Sequence, residues 1–83
     1  MTDLTPPTKQ YDEDLDAIGL LCPLPVLKAR KRLKGMESGQ VLRLQATDPA
    51  AVIDVPHFCA EQGHEFLGLA EGDGTTFYFI RRK

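Results

Sequence analysis

The chain has 83 residues, of which 42% are hydrophobic and 27% are charged, and its formal net charge at pH 7 is -2. A chain of this length builds one compact core, and its composition is that of an ordinary globular domain, which excludes disordered, collagen-like and fibrous proteins. The slight negative charge argues against a generally basic nucleic-acid-binding protein, but it leaves a local basic face open.

The first ten residues, MTDLTPPTKQ, are polar, contain threonine and proline, and show no periodicity. They predict a flexible leader over residues 1–10, ahead of a single domain over residues 11–83. The leader lacks the basic and apolar segments of a signal peptide, and no apolar run approaches the roughly 20 residues that span a bilayer. We therefore expect a cytoplasmic protein that does not associate with a membrane.

The first half of the domain changes from strand-like to helix-like spacing of its apolar residues. Over residues 14–19 the alternation of apolar residues with their neighbours predicts a first strand of about five or six residues. Beyond it, apolar residues such as Val26 and Leu33 recur at helical spacing, while basic residues fill the remaining surface. This pattern predicts an amphipathic helix that begins close to Cys22 and ends at Gly35.

The second half begins with another alternating segment, residues 41–46, which predicts a second strand. Asp48 and the proline after it form a helix-start signal. Pro56 lies within the helical stretch that follows, and an internal proline interrupts a helix. We therefore predict a short turn over residues 49–53 and a main helix over residues 55–62, which ends at the next glycine.

The closing segment, EFLGLAEGDGTTFYFIRRK, contains two apolar stretches joined by Gly72, Asp73 and Gly74. It predicts a hairpin, because glycine and aspartate accept the positive φ angles of a tight turn. The element order is then βαβαββ. Right-handed crossovers carry both helices to one face of a mixed four-stranded sheet, so the predicted fold is a two-layer α/β sandwich with the other sheet face open.

Two cysteines, Cys22 and Cys59, are too few for a disulfide framework and form no CxxC pair, so we expect reduced thiols. Cys22 lies in the segment Cys22-Pro23-Leu24-Pro25, at the predicted start of the first helix. The helix dipole and unpaired amides there favour a thiolate, and we expect the pKa of Cys22 to lie below about 8.5. The two prolines restrict the backbone around the sulfur.

The alternative for either cysteine is a buried position in the core, where free cysteines are common. For Cys59, which follows Phe58 on a helix that must bury one face, we favour that interpretation. For Cys22, the strand-to-helix junction and the flanking prolines favour a reactive thiol.

Three segments carry a resemblance to a known family: LDAIGLLCPLPVLKARKRL, ATDPAAVIDVPHFCAEQGHE and the closing FYFIRRK. Together they resemble the TusA/SirA family of small sulfur-carrier proteins, whose signature is a CPxP motif between the first strand and the first helix. The similarity covers residues 14–83. It implies that Cys22 is the catalytic residue, which accepts a sulfane sulfur as a persulfide and passes it on. Gly19, Pro23 and Pro25 would shape the motif loop.

The resemblance also implies the partners. The donor would be a protein such as a cysteine desulfurase or a rhodanese, and a downstream protein would accept the sulfur for tRNA thiolation, cofactor synthesis or sulfur oxidation. The protein would be a sulfurtransferase-type carrier, a transferase if classed as an enzyme, with no cofactor beyond the transient persulfide on Cys22. We expect a monomer that does not bind nucleic acid directly.

A basic segment of the first helix offers a docking surface for partners. Lys28, Lys31 and Arg32 would attract acidic patches on a donor, although the same residues can simply form a solvated helix face. Family members often carry a basic residue just before the glycine of the motif segment or just before the cysteine, where this chain has Ile18 and Leu21. The choice of donor and acceptor therefore stays open.

Other polar residues have simpler interpretations. His57 and Cys59 would diverge around a helix, and with His64 they still lack a fourth ligand, so no metal site is predicted. Asp48 and Asp54 each precede a helical turn and are interpreted as caps.

Two other functions stay open at this point. One is a basic-faced regulatory module that binds RNA or a protein, in which Cys22 is incidental; RNA binding of that kind would weaken steeply with salt. The other is a thiol redox protein in which Cys22 and Cys59 form a disulfide. A disulfide requires the two Cα atoms to lie within roughly 7 Å.

Overall fold

The computed structural model describes residues 10–83. The helices and strands follow in the order β1 (Glu13–Ala17), α1 (Leu24–Lys34), β2 (Val41–Ala46), α2 (Ala51–Gln62), β3 (Glu65–Gly72) and β4 (Thr75–Arg81). The predicted leader, apart from Gln10, lies outside the described residues, and the division into a leader and one domain stays a prediction.

The four strands form one sheet in the order β1-β2-β4-β3. β1 pairs parallel with β2, and β4 pairs antiparallel with both β2 and β3. Side chains from one face of the sheet and from both helices form a single core, which includes Leu15, Ala29, Leu33, Leu42, Leu44, Val55, Phe58, Tyr78 and Ile80. The predicted two-layer βαβαββ sandwich is confirmed.

The first strand ends earlier than the alternation suggests. Leu15 and Ala17 are buried as predicted, with 5% and 1% of their surface exposed. The chain then turns, because the Ile18 amide donates to Asp16 Oδ1 over 2.9 Å and Gly19 has a φ of 84°. Glycine adopts a positive φ without steric cost. Gly19 therefore belongs to the loop after β1 and not to the strand.

The predicted first helix is confirmed as α1. Ala29 and Leu33 lie in the core, while lysines and arginines occupy much of the exposed face. Gly35 follows the helix, and its amide donates to the Arg32 carbonyl over 3.0 Å. The basic residues of the last turn lie at the negative end of the helix dipole, which stabilises the helix.

The second helix is continuous, so the predicted break in it is wrong. α2 contains Pro56 in its interior, whereas the sequence predicts a turn over residues 49–53 and a helix only over residues 55–62. Pro56 lacks the N–H that would bond to the Val52 carbonyl. Val52, whose carbonyl loses this partner, is 45% exposed. Buried side chains on both sides of the proline anchor the whole helix to the core.

One of the two predicted caps of this region is correct. Asp48 Oδ1 accepts the Ala50 amide over 3.1 Å, so Asp48 caps the turn that leads into α2. Asp54 lies inside the first turn of the helix, and its predicted capping role is therefore wrong. The helix ends at Gly63 as predicted, with a φ of 82° and an amide that donates to the Cys59 carbonyl over 2.9 Å.

β3 and β4 form the predicted hairpin. Its turn residues, Asp73 and Gly74, have φ angles of 50° and 81°, which are typical of a type I′ turn. On the sheet face away from the helices, the Arg43 guanidinium lies 4.4 Å from the ring centre of Tyr11 and 4.9 Å from that of Phe77. Among the described residues, such side chains and not a helix cover this face.

Candidate functional site

The loop between β1 and α1 carries the CPxP motif and is tied to the loop between β2 and α2. β1 and β2 are parallel neighbours, so the loops at their carboxyl ends lie side by side. The Gly19 amide donates to Thr47 Oγ1 over 2.9 Å, and the Cys22 amide donates to Asp48 Oδ2 over 2.6 Å. The carboxylate that caps the turn before α2 therefore also holds the backbone of Cys22.

The two prolines of the motif have different environments. Pro23 is exposed, precedes the first residue of α1 and is joined to Cys22 by a cis peptide bond. Pro25 lies in the first turn of α1 and its side chain is fully buried. The motif loop is thus held at two places: by hydrogen bonds to the loop between β2 and α2, and by the buried ring of Pro25. The loop-shaping roles of Gly19, Pro23 and Pro25 stay a prediction.

Cys22 is exposed, which contradicts the alternative of a core cysteine at this position. It lines a shallow depression with a volume of about 220 Å³ between the motif loop and α2. The other lining residues are Pro23, Val26, Asp54, His57, Phe58 and Glu61. A reagent or another protein can therefore approach the thiol from solvent.

Three titratable side chains of α2 share this depression with Cys22. Asp54, His57 and Glu61 are separated by three and four residues, so they lie on one face of the helix. His57 Nε2 lies 3.3 Å from Glu61 Oε2. The residue pattern indicates only a cap for Asp54 and no role for Glu61, so this side of the site is seen only in the structure.

The pKa of Cys22 is raised, and the expectation of a lowered value is wrong. The largest cause is a hydrogen bond with the Asp54 side chain, followed by desolvation and by the negative charges of Asp54 and Asp48. The N-terminus of α1 does little to lower the pKa of Cys22 again. The Leu24 amide donates to the Leu21 carbonyl over 2.8 Å, and the next residue is a proline, which has no N–H. The acidic neighbours therefore keep the thiol protonated to a higher pH.

Cys59 has a different environment. Only 1% of its surface is exposed, and burial raises its pKa to about 11. Both cysteines are free thiols in the structure. The interpretation of Cys59 as a core residue is confirmed.

The predicted docking residues lie on another surface. Lys28, Lys31 and Arg32 line a groove of about 400 Å³ between α1 and the edge strand β1. Arg32 Nη1 lies 3.3 Å from Glu13 Oε1 in this groove. None of the three cations lines the depression beside Cys22. The structure groups them as a basic groove, and their role in docking stays a prediction.

Neither a metal centre nor a membrane span is found in the part of the chain that the structure describes. Over residues 10–83, no group of three or more histidine, cysteine or acidic side chains could hold a metal ion. No helix in the same range is long and apolar enough to cross a membrane.

The profile of one known family, sulfurtransferase TusA, matches residues 13–82 of the chain. This range contains every helix and strand of the structure as well as the motif loop. The chain belongs to the sulfurtransferase TusA family.

Curated relatives of this TusA-family protein are similar to it over most or all of its length. Sulfur carrier protein TusA of Pseudomonas entomophila is 46% identical over 83 residues, which cover 100% of this chain and 98% of the relative. Sulfur carrier protein TusA of Allochromatium vinosum is 47% identical over 73 residues, which cover 88% of this chain and 95% of the relative.

A solved structure shows the same fold. The crystal structure of a SirA-like protein from Desulfitobacterium hafniense superposes on this TusA-family protein with a TM-score of 0.76 and 25% identity. The match covers 84% of this chain and 96% of that protein. Fold and sequence therefore place the chain in the family that its CPxP motif predicts.

Proposed function

We propose that this TusA-family protein is a sulfur carrier, in which Cys22 accepts a sulfane sulfur from a donor protein and relays it to an acceptor. The observation that carries the proposal is the exposure of the motif cysteine beside an open depression, while the other cysteine is buried. The relatives from Pseudomonas entomophila and Allochromatium vinosum are both named sulfur carrier proteins, which supports the same role here.

The transfer is an exchange between two proteins. The Cys22 thiolate attacks the outer sulfur of a donor persulfide, the sulfur–sulfur bond of the donor breaks, and its electron pair goes to the donor cysteine, which takes up a proton. One persulfide is lost and one is formed, so the step consumes no oxidant or reductant. The same exchange in the opposite sense passes the sulfur to an acceptor, and neither step needs a second thiol in this chain.

The partners that we propose are those that the family resemblance implies. The donor is a protein such as a cysteine desulfurase or a rhodanese, and the acceptor is another protein of a cytoplasmic sulfur pathway. Lys28, Lys31 and Arg32 supply a positive surface that would speed the encounter with an acidic patch on a partner. The persulfide on Cys22 is the only group the carrier needs beyond its own residues.

Intact mass spectrometry after incubation with a cysteine desulfurase and its cysteine substrate tests the proposal. The wild type should gain the mass of sulfur, a reductant should remove it, and Cys22→Ser should gain none. The serine variant should melt at nearly the wild-type temperature, because the thiol is exposed and packs against little. A Cys22→Ser protein that acquires reductant-labile sulfur would overturn the assignment of Cys22.

The two alternative functions are less well supported. Membership of the sulfurtransferase TusA family does not favour a basic-faced module that binds RNA or a protein. Filter binding that shows tight RNA association with a steep salt dependence would be needed to support it. In the structure Cys22 and Cys59 are both free thiols, one exposed and the other only 1% exposed, which does not favour a disulfide between them.

A further inference from the structure

The depression beside Cys22 has an acidic rim. The titratable groups that face the thiol are Asp54, His57 and Glu61 from α2, and Asp48 from the loop before it. α1 contributes an apolar valine to the lining and no charged side chain. Three carboxylates and one histidine leave the surroundings of the thiol negative.

This rim acts against the reactivity of the thiol. Asp54 lines the same depression as the thiol, and its carboxylate raises the pKa of Cys22, so the thiolate is the minor form at neutral pH. A carrier between donor and acceptor gains from this state, because alkylation and oxidation also proceed through the thiolate. Sulfur transfer also needs the thiolate. A docking partner must therefore remove this effect of Asp54 on the thiol, which we call the restraint.

The surface around the depression also has the composition of a protein contact. Leu21 in the motif loop is 67% exposed, and Ile53 in the first turn of α2 is 73% exposed. Large apolar side chains beside a small set of charges are typical of protein interfaces, and the charges select a partner of opposite sign. The negative rim therefore fits a partner that presents a cation.

We propose that Asp54 restrains the Cys22 thiol in the free carrier, and that a donor or acceptor protein releases it by placing a lysine or arginine against Asp54 and Glu61. The inference rests on the sulfur-carrier function proposed above. Once the cation pairs with Asp54, the carboxylate no longer favours the protonated thiol, and the cation stabilises the thiolate. The thiol proton passes to solvent, and Sγ attacks the outer sulfur of the donor persulfide.

The restraint is tested by the rate at which iodoacetamide labels Cys22 in the free carrier over a pH series. Asp54→Asn should label at least about twofold faster than the wild type near neutral pH, with its rate profile displaced to lower pH. Glu37→Gln removes one negative charge beyond the opposite end of α1 and should label like the wild type. Asp54→Ala provides a second variant, and circular dichroism checks the folding of each. Labelling at or below the wild-type rate would overturn the restraint.

The cationic partner is tested with a cysteine desulfurase and its cysteine substrate as the donor. Asp54→Asn and Glu61→Gln should each accept sulfur about twofold or more slowly than the wild type, although the first has the more reactive thiol. Glu37→Gln should match the wild type. Uptake at or above the wild-type rate in both rim variants would overturn the cationic partner. If the wild type takes up no sulfur while Asp54→Asn still labels faster, the carrier function fails and the restraint stands.

Discussion

At Cys22, nearby carboxylates decide the state of the thiol more than the end of the helix does. The helix dipole acts through the free amides of the first turn, and here the Leu24 amide is bonded while Pro25 has no N–H. Asp54 lines the same depression as the thiol, and its carboxylate raises the pKa of Cys22. A cysteine at the start of a helix is therefore not activated by that position alone, because its pKa depends on what the fold places opposite it.

Cys59→Ala should retain sulfur loading and lose stability. Cys59 is buried and its pKa is raised to about 11, so its thiolate is scarce at neutral pH and inaccessible to a donor. Removal of the sulfur leaves a small cavity, for which we expect the free energy of unfolding to fall by about 1 kcal/mol. Mass spectrometry after incubation with a donor and a urea titration measure the two effects. Loss of loading in a folded variant would indicate that Cys59 resolves the persulfide.

At the scale of one element, α2 contributes to the core and to the site at the same time. Val55 and Phe58 are buried in the core, while Asp54 and Glu61 line the depression beside Cys22. A helix is rigid over these few turns, so core packing sets where the carboxylates lie relative to the thiol. Changes in the helix should therefore affect both stability and thiol reactivity.

Pro56→Ala should stabilise the protein. Alanine restores an N–H that can bond to the Val52 carbonyl and has a higher helix propensity, which outweighs the greater freedom of the unfolded chain. We expect a gain of about 1 kcal/mol, which raises the melting temperature by about 4 to 8 °C in a domain of this size. Pro49→Ala lies outside α2 and should give no such rise. A lower melting temperature for Pro56→Ala would show that packing of the proline ring matters more than the missing hydrogen bond.

The basic groove between α1 and β1 predicts a salt-sensitive encounter with a protein donor. The double change Lys28→Glu and Lys31→Glu should slow sulfur uptake from that donor by about threefold or more at low salt. Iodoacetamide labelling of Cys22 should stay near the wild-type rate, because neither lysine lines the depression. The double change Arg30→Glu and Lys34→Glu, on the same helix but outside the groove, controls for net charge. Equal losses in uptake and labelling would mean that the lysines act on the thiol itself.

At the scale of the whole molecule, buried titratable groups should make stability fall in alkaline solution. Cys59 and Tyr78 are each 1% exposed, and burial raises the pKa of both, to about 11 for Cys59. The folded protein keeps protons that the unfolded chain releases above about pH 8.5 for cysteine and about pH 10 for tyrosine. The free energy of unfolding should therefore fall as the pH rises from there towards 11, by roughly 2–3 kcal/mol from Cys59 alone.

Urea titrations at a series of pH values from about 7 to about 10.5 measure this loss. Cys59→Ala lacks the contribution of the thiol, so its stability should decline less steeply and only from a higher pH, where Tyr78 begins to titrate. The same dependence on pH in both proteins would exclude the buried thiol as its source.

Local patterns in the sequence determined most of the fold and pointed to Cys22 as the candidate reactive residue. Strands follow from alternation, helices from helical spacing, and the ends of both helices from Gly35 and Gly63, because each signal depends on residues only a few positions apart. The handedness of the crossovers then leaves few ways to arrange βαβαββ. The CPxP motif is local as well, so it could identify Cys22 without a structure.

Only the tertiary structure decided the chemistry around that residue. Asp48 is 26 residues from Cys22 in sequence and bonds to its amide, and Asp54 reaches its thiol from another helix. α2 is continuous through Pro56 because contacts with the core hold both halves of the helix. The helix propensities of the residues alone do not include these contacts. Spacing along the chain carries no information about which distant carboxylates packing will bring to a sulfur atom. The motif therefore predicted which thiol to consider, and the packing of α2 beside the motif loop decided that the pKa of this thiol is raised.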